Sequence, residues 1–416
     1  MPASRLGMAV RQQGVLRWAF PLNILGRDLQ LIFASNLAGS FGDGLYSYLL
    51  PVYMTENLKA NPVQVGILYA VVNLLAALTL LLTGVLGDRY DRKKIMMAGW
   101  GLWVPAPIFF ALARNWLEML PGAVLWGSWL GGPTMTAYIA TAADKSKLTS
   151  AFTAMSAAWS LGYVFSPALG GLLAAAMGMK IVFYLASILY ASAGLILLFI
   201  SSQGPNRDMQ HRPEEDRQPF QFRKAGGLLK LSMFFAAIMF TVMLFRPFVS
   251  KFLADIYGYG DFEIGLSGSI LFLGSAILGI LLGKLGDRYR RSYALASSLT
   301  LSSLSLILLM IFRDFYILMA IVFVAGCSYT LWSLMNAIIG LQAPESVRVR
   351  WFSIPQTVGM FCSFIAPYLG GVMYDASPSY PFIVAIVLML LLAVLASTKI
   401  LEDNRLREEF VDRLRQ

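Results

Sequence analysis

Polar residues fall in bands along this chain. Between the bands run apolar stretches rich in Leu, Ala and Met, each long enough to cross a hydrocarbon layer. Crossing takes roughly 20 residues of helix, because every backbone N–H and C=O must find its partner within the segment. The pattern predicts twelve such helices, over 28–54, 63–87, 95–113, 118–142, 149–177 and 180–201, and then over 229–256, 262–286, 292–312, 315–340, 351–374 and 380–398. None shows the alternation expected of a strand in a membrane barrel. The predicted class is an all-α membrane protein of two six-helix bundles.

Composition agrees, with 57% hydrophobic and only 13% charged residues among 416. That balance lies outside the range of soluble domains. The widest polar band, "SQGPNRDMQHRPEEDRQPFQFRKAGGL" over 202–228, is rich in Pro, Gly and charge and cannot support a packed core. It divides the chain into an N-terminal segment (1–27), a first bundle (28–201), a linker (202–228), a second bundle (229–398) and a tail (399–416).

The polar bands also set an orientation. With the N-terminus in the cytoplasm, 27 of the 33 Lys and Arg fall on the cytoplasmic side. Only Lys59, Arg114, Lys180, Lys251 and Arg313 lie outside, with Arg246 inside the seventh span. This bias follows the positive-inside rule and predicts a multi-pass protein of the cell membrane with both termini cytoplasmic. The net charge of +10 is thus topological, with attraction to lipid headgroups a by-product and no nucleic-acid partner implied.

Several chemistries drop out. Cys327 and Cys362 both fall inside predicted spans and read as small core residues, and the only histidine, His211, sits in the linker. No His-based metal cluster or imidazole relay is expected. HExxH, GxSxG and Walker A sequences are absent, so the reading is of a non-enzyme without metal or cofactor. No cleavable signal peptide is apparent, and "RQQGVLRWAF" near the N-terminus reads as an interfacial amphipathic helix. The C-terminal "KILEDNRLREEFVDRLRQ" reads either as a short amphipathic helix or as a solvated tail.

The two halves repeat each other. "GVLGDRYDRKK" from Gly84 recurs as "GKLGDRYRRSY" from Gly283, 199 residues on, and Asp88 maps to Asp287. "FSPALGG" recurs as "IAPYLGG", with Pro167, Gly170 and Gly171 mapping to Pro367, Gly370 and Gly371. "VQVGIL" and "FEIGLS" pair Gly66 with Gly265. Landmarks kept in order at an offset of 199 or 200 mark a duplicated six-helix unit.

The charged motif between spans 2 and 3 resembles the signature of the major facilitator superfamily. The matching positions are Gly84, Leu86, Asp88, Arg89, Arg92 and Lys93, with Asp91 where the family usually has glycine. The second copy keeps Gly283, Leu285, Asp287, Arg288 and Arg291. The resemblance covers the whole chain and implies a secondary transporter whose halves rock about a midplane site. It also implies that Asp88 latches onto the start of span 11, near Ser353 and Pro355, where a helix N-terminus attracts a carboxylate. The competing reading is a charged turn that only obeys topology. "GYVFSPALGG" is similar to the family's span-5 exporter motif, with Ser166 in place of its first glycine, or else it is ordinary small-residue packing. The family's span-4 arginine is missing from "LEMLPGAVLWGSWLGG".

Ionisable side chains near the bilayer centre are costly, so those retained need partners or water. Asp43, in "AGSFGDGLYSYLLP", is expected mid-depth where Gly42 and Gly44 loosen the helix, and Arg246, in "MLFRPFVSK", falls one turn beyond its counterpart position in the repeat. The two could face each other across a central cavity, Asp43 as a proton or cation site and Arg246 as counter-ion or anchor for a substrate anion. A structural ion pair or a snorkelling Arg is the alternative. Asn36, Tyr69, Asn73, Tyr163, Trp332 and Asn336 are expected to shape a pocket for an amphipathic ligand, unless they serve packing alone. Glu118, Lys251 and Asp255 are expected at outer ends, with Lys251 and Asp255 paired at i, i+4. The first expectation is proton-coupled efflux of a small amphipathic or drug-like compound by a monomer. An importer or uniporter of a polar metabolite better suits the missing arginine, and a non-transporting sensor or scaffold is the third reading.

Overall fold

The computed structural model describes residues 25–144, 148–204, 225–342 and 348–398. The N-terminal amphipathic stretch, most of the linker and the C-terminal tail lie outside the described residues, as do the side chains of Gly84, Asp88 and Ser353. All regular structure described is helical. In the first half, α1 (Arg27–Ser47) and α2 (Leu50–Glu56) form one rod and α3 (Pro62–Arg89) the next. Then come α4 (Arg92–Trp103) with α5 (Pro105–Leu112), and a 3-10 turn (Trp116–Met119) with α6 (Leu120–Gly127) and α7 (Gly131–Ala142). The half closes with α8 (Leu148–Met177) and α9 (Met179–Ile196), the latter continued by the turn Leu197–Phe199.

The second half repeats the plan. A first rod joins α10 (Ala225–Phe245), the turn Arg246–Phe248 and α11 (Val249–Tyr257). It is followed by α12 (Asp261–Arg288), α13 (Arg291–Ile311) and the pair α14 (Phe315–Ala325) and α15 (Cys327–Gln342). The last two rods are α16 (Arg348–Ser363) with α17 (Ala366–Ala376), and α18 (Tyr380–Ser397). Every rod lies within about one turn of its predicted span.

Local chemistry sets the ends and the breaks. Asn61 and Gln64 form a reciprocal capping box at the start of α3, with Pro62 in the first turn where its missing N–H costs nothing. Asp91 caps α4 and Asp314 caps α14. Pro51, Pro105, Pro121, Pro247 and Pro367 each open the segment after a break, since proline cannot donate to the preceding turn.

Ten of the rods are long and apolar enough to cross a membrane. The two that fall short, at 27–56 and 116–142, do so for structural reasons. The first buries Ser35, Asn36, Ser40 and Asp43 in its interior-facing side, and the fourth is interrupted between α6 and α7 at Ser128–Leu130.

The pseudo-twofold is visible in the packing. α1 lies along α8 and α9, as α10 lies along α16 and α18; between the halves α8 crosses α12 and α3 crosses α17. Gly66 rests on the Pro367 carbonyl as Gly265 rests on that of Pro167, while Gly371 rests on Pro62 as Gly171 rests on Asp261. Within the halves, Gly170 sits on the Leu45 carbonyl and Gly370 on that of Leu244. At each position an added Cβ would come closer than 3.0 Å to backbone, so these glycines are required for close approach. The contacts between halves cluster toward the far face, opposite the near face where α1 begins and α18 ends.

Toward the near face the glycines of α12 make no such contact with the other half. The nearest groups to a Cβ added at Gly279 or Gly286 of α12 belong to its own half, and at Gly283 none of the described residues outside its own helix turn comes within 4 Å of one.

Candidate functional site

A cavity of about 500 Å³ lies between the halves, large enough for a small-molecule ligand. Asp43 and Arg246 are the only charged residues among the described residues that line it.

Asp43 stands on an unbroken stretch of α1. The expected loosening between Gly42 and Gly44 does not occur. Instead a Cβ on Gly44 would strike Ser166, and one on Gly42 would crowd Ala186, Leu189 and Tyr190. The glycines therefore let α8 and α9 close on α1, which brings their tyrosines to the carboxylate. Oδ1 accepts from Trp126 Nε1 at 2.7 Å and from the Tyr190 hydroxyl at 2.7 Å, with the Tyr46 hydroxyl at 3.5 Å. Oδ2 accepts from the Tyr163 hydroxyl. Tyr46 and Tyr190 also share a hydrogen bond of 3.1 Å. Asp43 is only 4% exposed, and protein donors reach both of its oxygens.

Arg246 is differently placed. It occupies the turn between α10 and α11, where Pro247 ends the helical hydrogen bonding. Its Nη2 donates to the Ser328 carbonyl at 3.2 Å, and its guanidinium lies 3.8 Å above the Tyr329 ring. Nε is buried without a partner. The two charges thus share a cavity but form no ion pair. What joins them is aromatic: Tyr163 packs on Phe272 at 4.7 Å between centroids, and Phe272 on Tyr329 at 5.0 Å. This series crosses from α8 to α12 to α15.

The other expected pocket residues divide. Tyr69, Asn73 and Tyr163 line the cavity, and Tyr69 donates to the Ser47 carbonyl at 3.1 Å. Asn36, Trp332 and Asn336 do not line it. Asn36 is fully buried with its amide on the Met135 sulfur at 3.2 Å, Trp332 packs on Phe235 at 4.9 Å, and Asn336 accepts from Gln356 at 3.0 Å. Helical spacing placed Asn36 on the face of Asp43, but that face is wider than the cavity. Trp126, Trp159, Phe272 and Tyr329 were not anticipated on the wall. Tyr46 and Tyr190, which reach Asp43 from behind, were also missed. Tyr46 was legible as the i+3 neighbour of Asp43; Trp126 and Tyr190 needed the tertiary packing.

The motif residues at the near face bond within their own halves. Arg92 Nη1 reaches the Ala137 carbonyl at 3.2 Å and Thr141 at 2.7 Å, and its counterpart Arg291 reaches the Ala337 carbonyl at 2.7 Å. Asp287 is exposed and pairs with Arg291 at 3.7 Å, while Arg89 and Arg288 are exposed. Lys251 and Asp255 pair at 2.8 Å as expected, and Tyr374 donates to Asp255.

Comparison with known proteins decides the family. The family model of the Major Facilitator Superfamily matches residues 32–248 and 231–414. The chain belongs to the major facilitator superfamily. Among its relatives is the quinolone resistance protein NorA of Staphylococcus aureus (strain COL), 26% identical over 363 residues, which are 83% of this chain and 89% of that protein. The multidrug resistance protein MdtG of Citrobacter koseri is 25% identical over 351 residues, 80% of this chain and 84% of that one. In fold the chain is similar to the nucleoside transporter NupG, with a TM-score of 0.72, 14% identity, and coverage of 89% of this chain and 99% of that one. A bacterial homolog of the human lysosomal transporter Spinster gives 0.70 at 16% identity, covering 89% of this chain and 95% of that one. As a major facilitator, the protein is a multi-pass membrane transporter of a small molecule and not an enzyme.

Proposed function

We propose that this transporter works by alternating access and couples efflux of a small amphipathic compound to proton entry, with Asp43 as the proton site. The observation that carries the reading is the cage of Trp126, Tyr163 and Tyr190 around Asp43 at the edge of the cavity. An ionised carboxylate only accepts, whereas a protonated one must donate once. The Trp126 indole cannot accept, so a tyrosine hydroxyl has to reverse its role. Of the tyrosines in the cage only Tyr163 both lines the cavity and packs on the other half, through Phe272. Protonation at Oδ2 would then release or turn Tyr163 and alter the contact between the halves. With the near face cytoplasmic, as the charge bias favours, the conformation described is inward-facing. The relatives named for drug resistance support the direction and compound class. Five serines on the wall, at 47, 160, 250, 275 and 333, favour a second reading, carriage of a polar metabolite.

The test uses purified protein in lipid vesicles, with a compound found by thermal-shift screening. Wild type should concentrate it when a pH gradient is imposed, and Asp43→Asn should only equilibrate it. Concentrative transport by Asp43→Asn with unaltered pH dependence would remove Asp43 from the coupling role.

A further inference from the structure

The two charges of the cavity are unequally provided for, and the inequality identifies a ligand. Asp43 borders the cavity but is only 4% exposed and has protein donors on both oxygens. Most of the acceptor capacity that a cationic ligand would need there is already engaged. Arg246 has five N–H donors, of which one nitrogen, Nη2, meets a backbone carbonyl, and no carboxylate of the described residues pairs with it. Its Nε has no partner, and the guanidinium plane rests on an aromatic ring. A buried cation left in this state is stabilised most by a planar anion that can take two parallel hydrogen bonds.

We infer that the cavity binds a small aromatic monocarboxylate, its carboxylate on Arg246 and its ring among Phe272, Tyr329 and Trp159. The ring position follows from the wall: Phe272 and Tyr329 are edge-to-face at 5.0 Å beside the guanidinium, and Trp159, stacked on Tyr163 at 6.0 Å, lines the same cavity. Aromatic faces with one cationic end fit a flat ring with one anionic end. The backbone carbonyl on Nη2 fixes the fork without neutralising it, so the charge remains for the ligand. The inference rests on the reading of the cavity as the transport site but concerns binding, so it can fail while transport stands.

The probes are benzoate, benzamide and benzylammonium, which share a ring and differ in charge, titrated calorimetrically into purified full-length protein. Wild type should bind benzoate about tenfold or more tightly than benzamide, the scale of a charge-assisted hydrogen bond, and benzylammonium most weakly. Arg246→Gln should lose the preference for benzoate while keeping benzamide affinity, which also reports that the variant is folded. Arg246→Lys, which keeps charge but not the fork, should retain only part of it. Equal binding of the three probes by wild type, no binding of any, or an undiminished benzoate preference in Arg246→Gln would each overturn the inference. If neither variant can be purified, the wild-type ranking alone decides. Flux in vesicles under a pH gradient reads the coupling separately and leaves this ranking untouched.

Discussion

The two ends of the interface between the halves are built differently. At the far face, backbone meets backbone: Gly66 on Pro367, Gly265 on Pro167, Gly171 on Asp261 and Gly371 on Pro62, reinforced by a hydrogen bond of 2.9 Å from the Ala168 N–H to Ser269. At the near face the repeated charged motif turns inward on its own half, Arg92 and Arg291 each tying the third span to the fourth or its repeat. The difference teaches which end must move. Contacts without side chains have no rotamer to adjust, so the far face can open only by separation of whole helices. The near face has exposed side chains that can be redirected, Arg288 and Asp287, the latter held only by a 3.7 Å pair with Arg291 of its own half.

The largest effect is expected from breaking the far seal. A branched side chain at Gly171 or Gly371 would press into backbone of the other half, and overpacking of this kind costs about 1–3 kcal/mol. Borne only by the sealed conformation, that shifts a two-state equilibrium about fivefold to 150-fold toward far-face opening. Gly171→Val and Gly371→Val should therefore fold but transport poorly. In a cysteine-free background with Ser250→Cys on the cavity wall, either should raise labelling by a membrane-impermeant maleimide added at the far face. Normal flux and no added labelling would mean that the seal is not a moving part.

Tyr163 lies where the two regions meet, and it sharpens the comparison. Tyr163→Phe removes a donor from Asp43 but keeps the ring on Phe272, whereas Tyr190→Phe removes a donor that has no contact with the other half. A hydrogen bond to a charged group is worth about 1.5–3 kcal/mol, so both should lower stability. Only Tyr163→Phe should also reduce gradient-driven accumulation, by about tenfold on that scale. Equal losses in the two variants would show that Asp43 needs its donors merely to be buried.

Much of this was legible beforehand, and the reasons differ by level. Span positions followed from lipid thickness, and the twofold from landmarks repeated at 199 or 200 residues, because both are properties of the chain alone. The repeat also pointed to Pro167, Gly170 and Gly171, though not to what they touch; Gly171 meets the other half and Gly170 its own. The site was legible only in its charges. Asp43 and Arg246 stand out because charge in lipid is rare, but most of their partners come from four other spans, and no local pattern brings Trp126 or Tyr190 to Asp43. The expected flexibility at Gly42 and Gly44 erred because glycine in a membrane helix serves close approach as readily as bending.

The smallest effect, and the one that most directly tests the asymmetry, is expected at Gly283. Beyond its own helix turn, no atom of the described residues lies within 4 Å of where its Cβ would be, so Gly283→Ala introduces no clash with them in this conformation. Helix propensity alone favours alanine by about 1 kcal/mol, and thermal stability should hold or rise slightly. Yet its repeat partner is Gly84, and the far-face glycines show how closely these helices approach when an end is shut. If the near face closes in the same manner, a methyl group at 283 meets backbone only in that second conformation. Flux should then fall by a small factor while stability does not, a split that loss of folding cannot produce. Unchanged flux would mean that the near face closes through side chains, with Asp88 and Asp287 rather than the glycines as its contact surface.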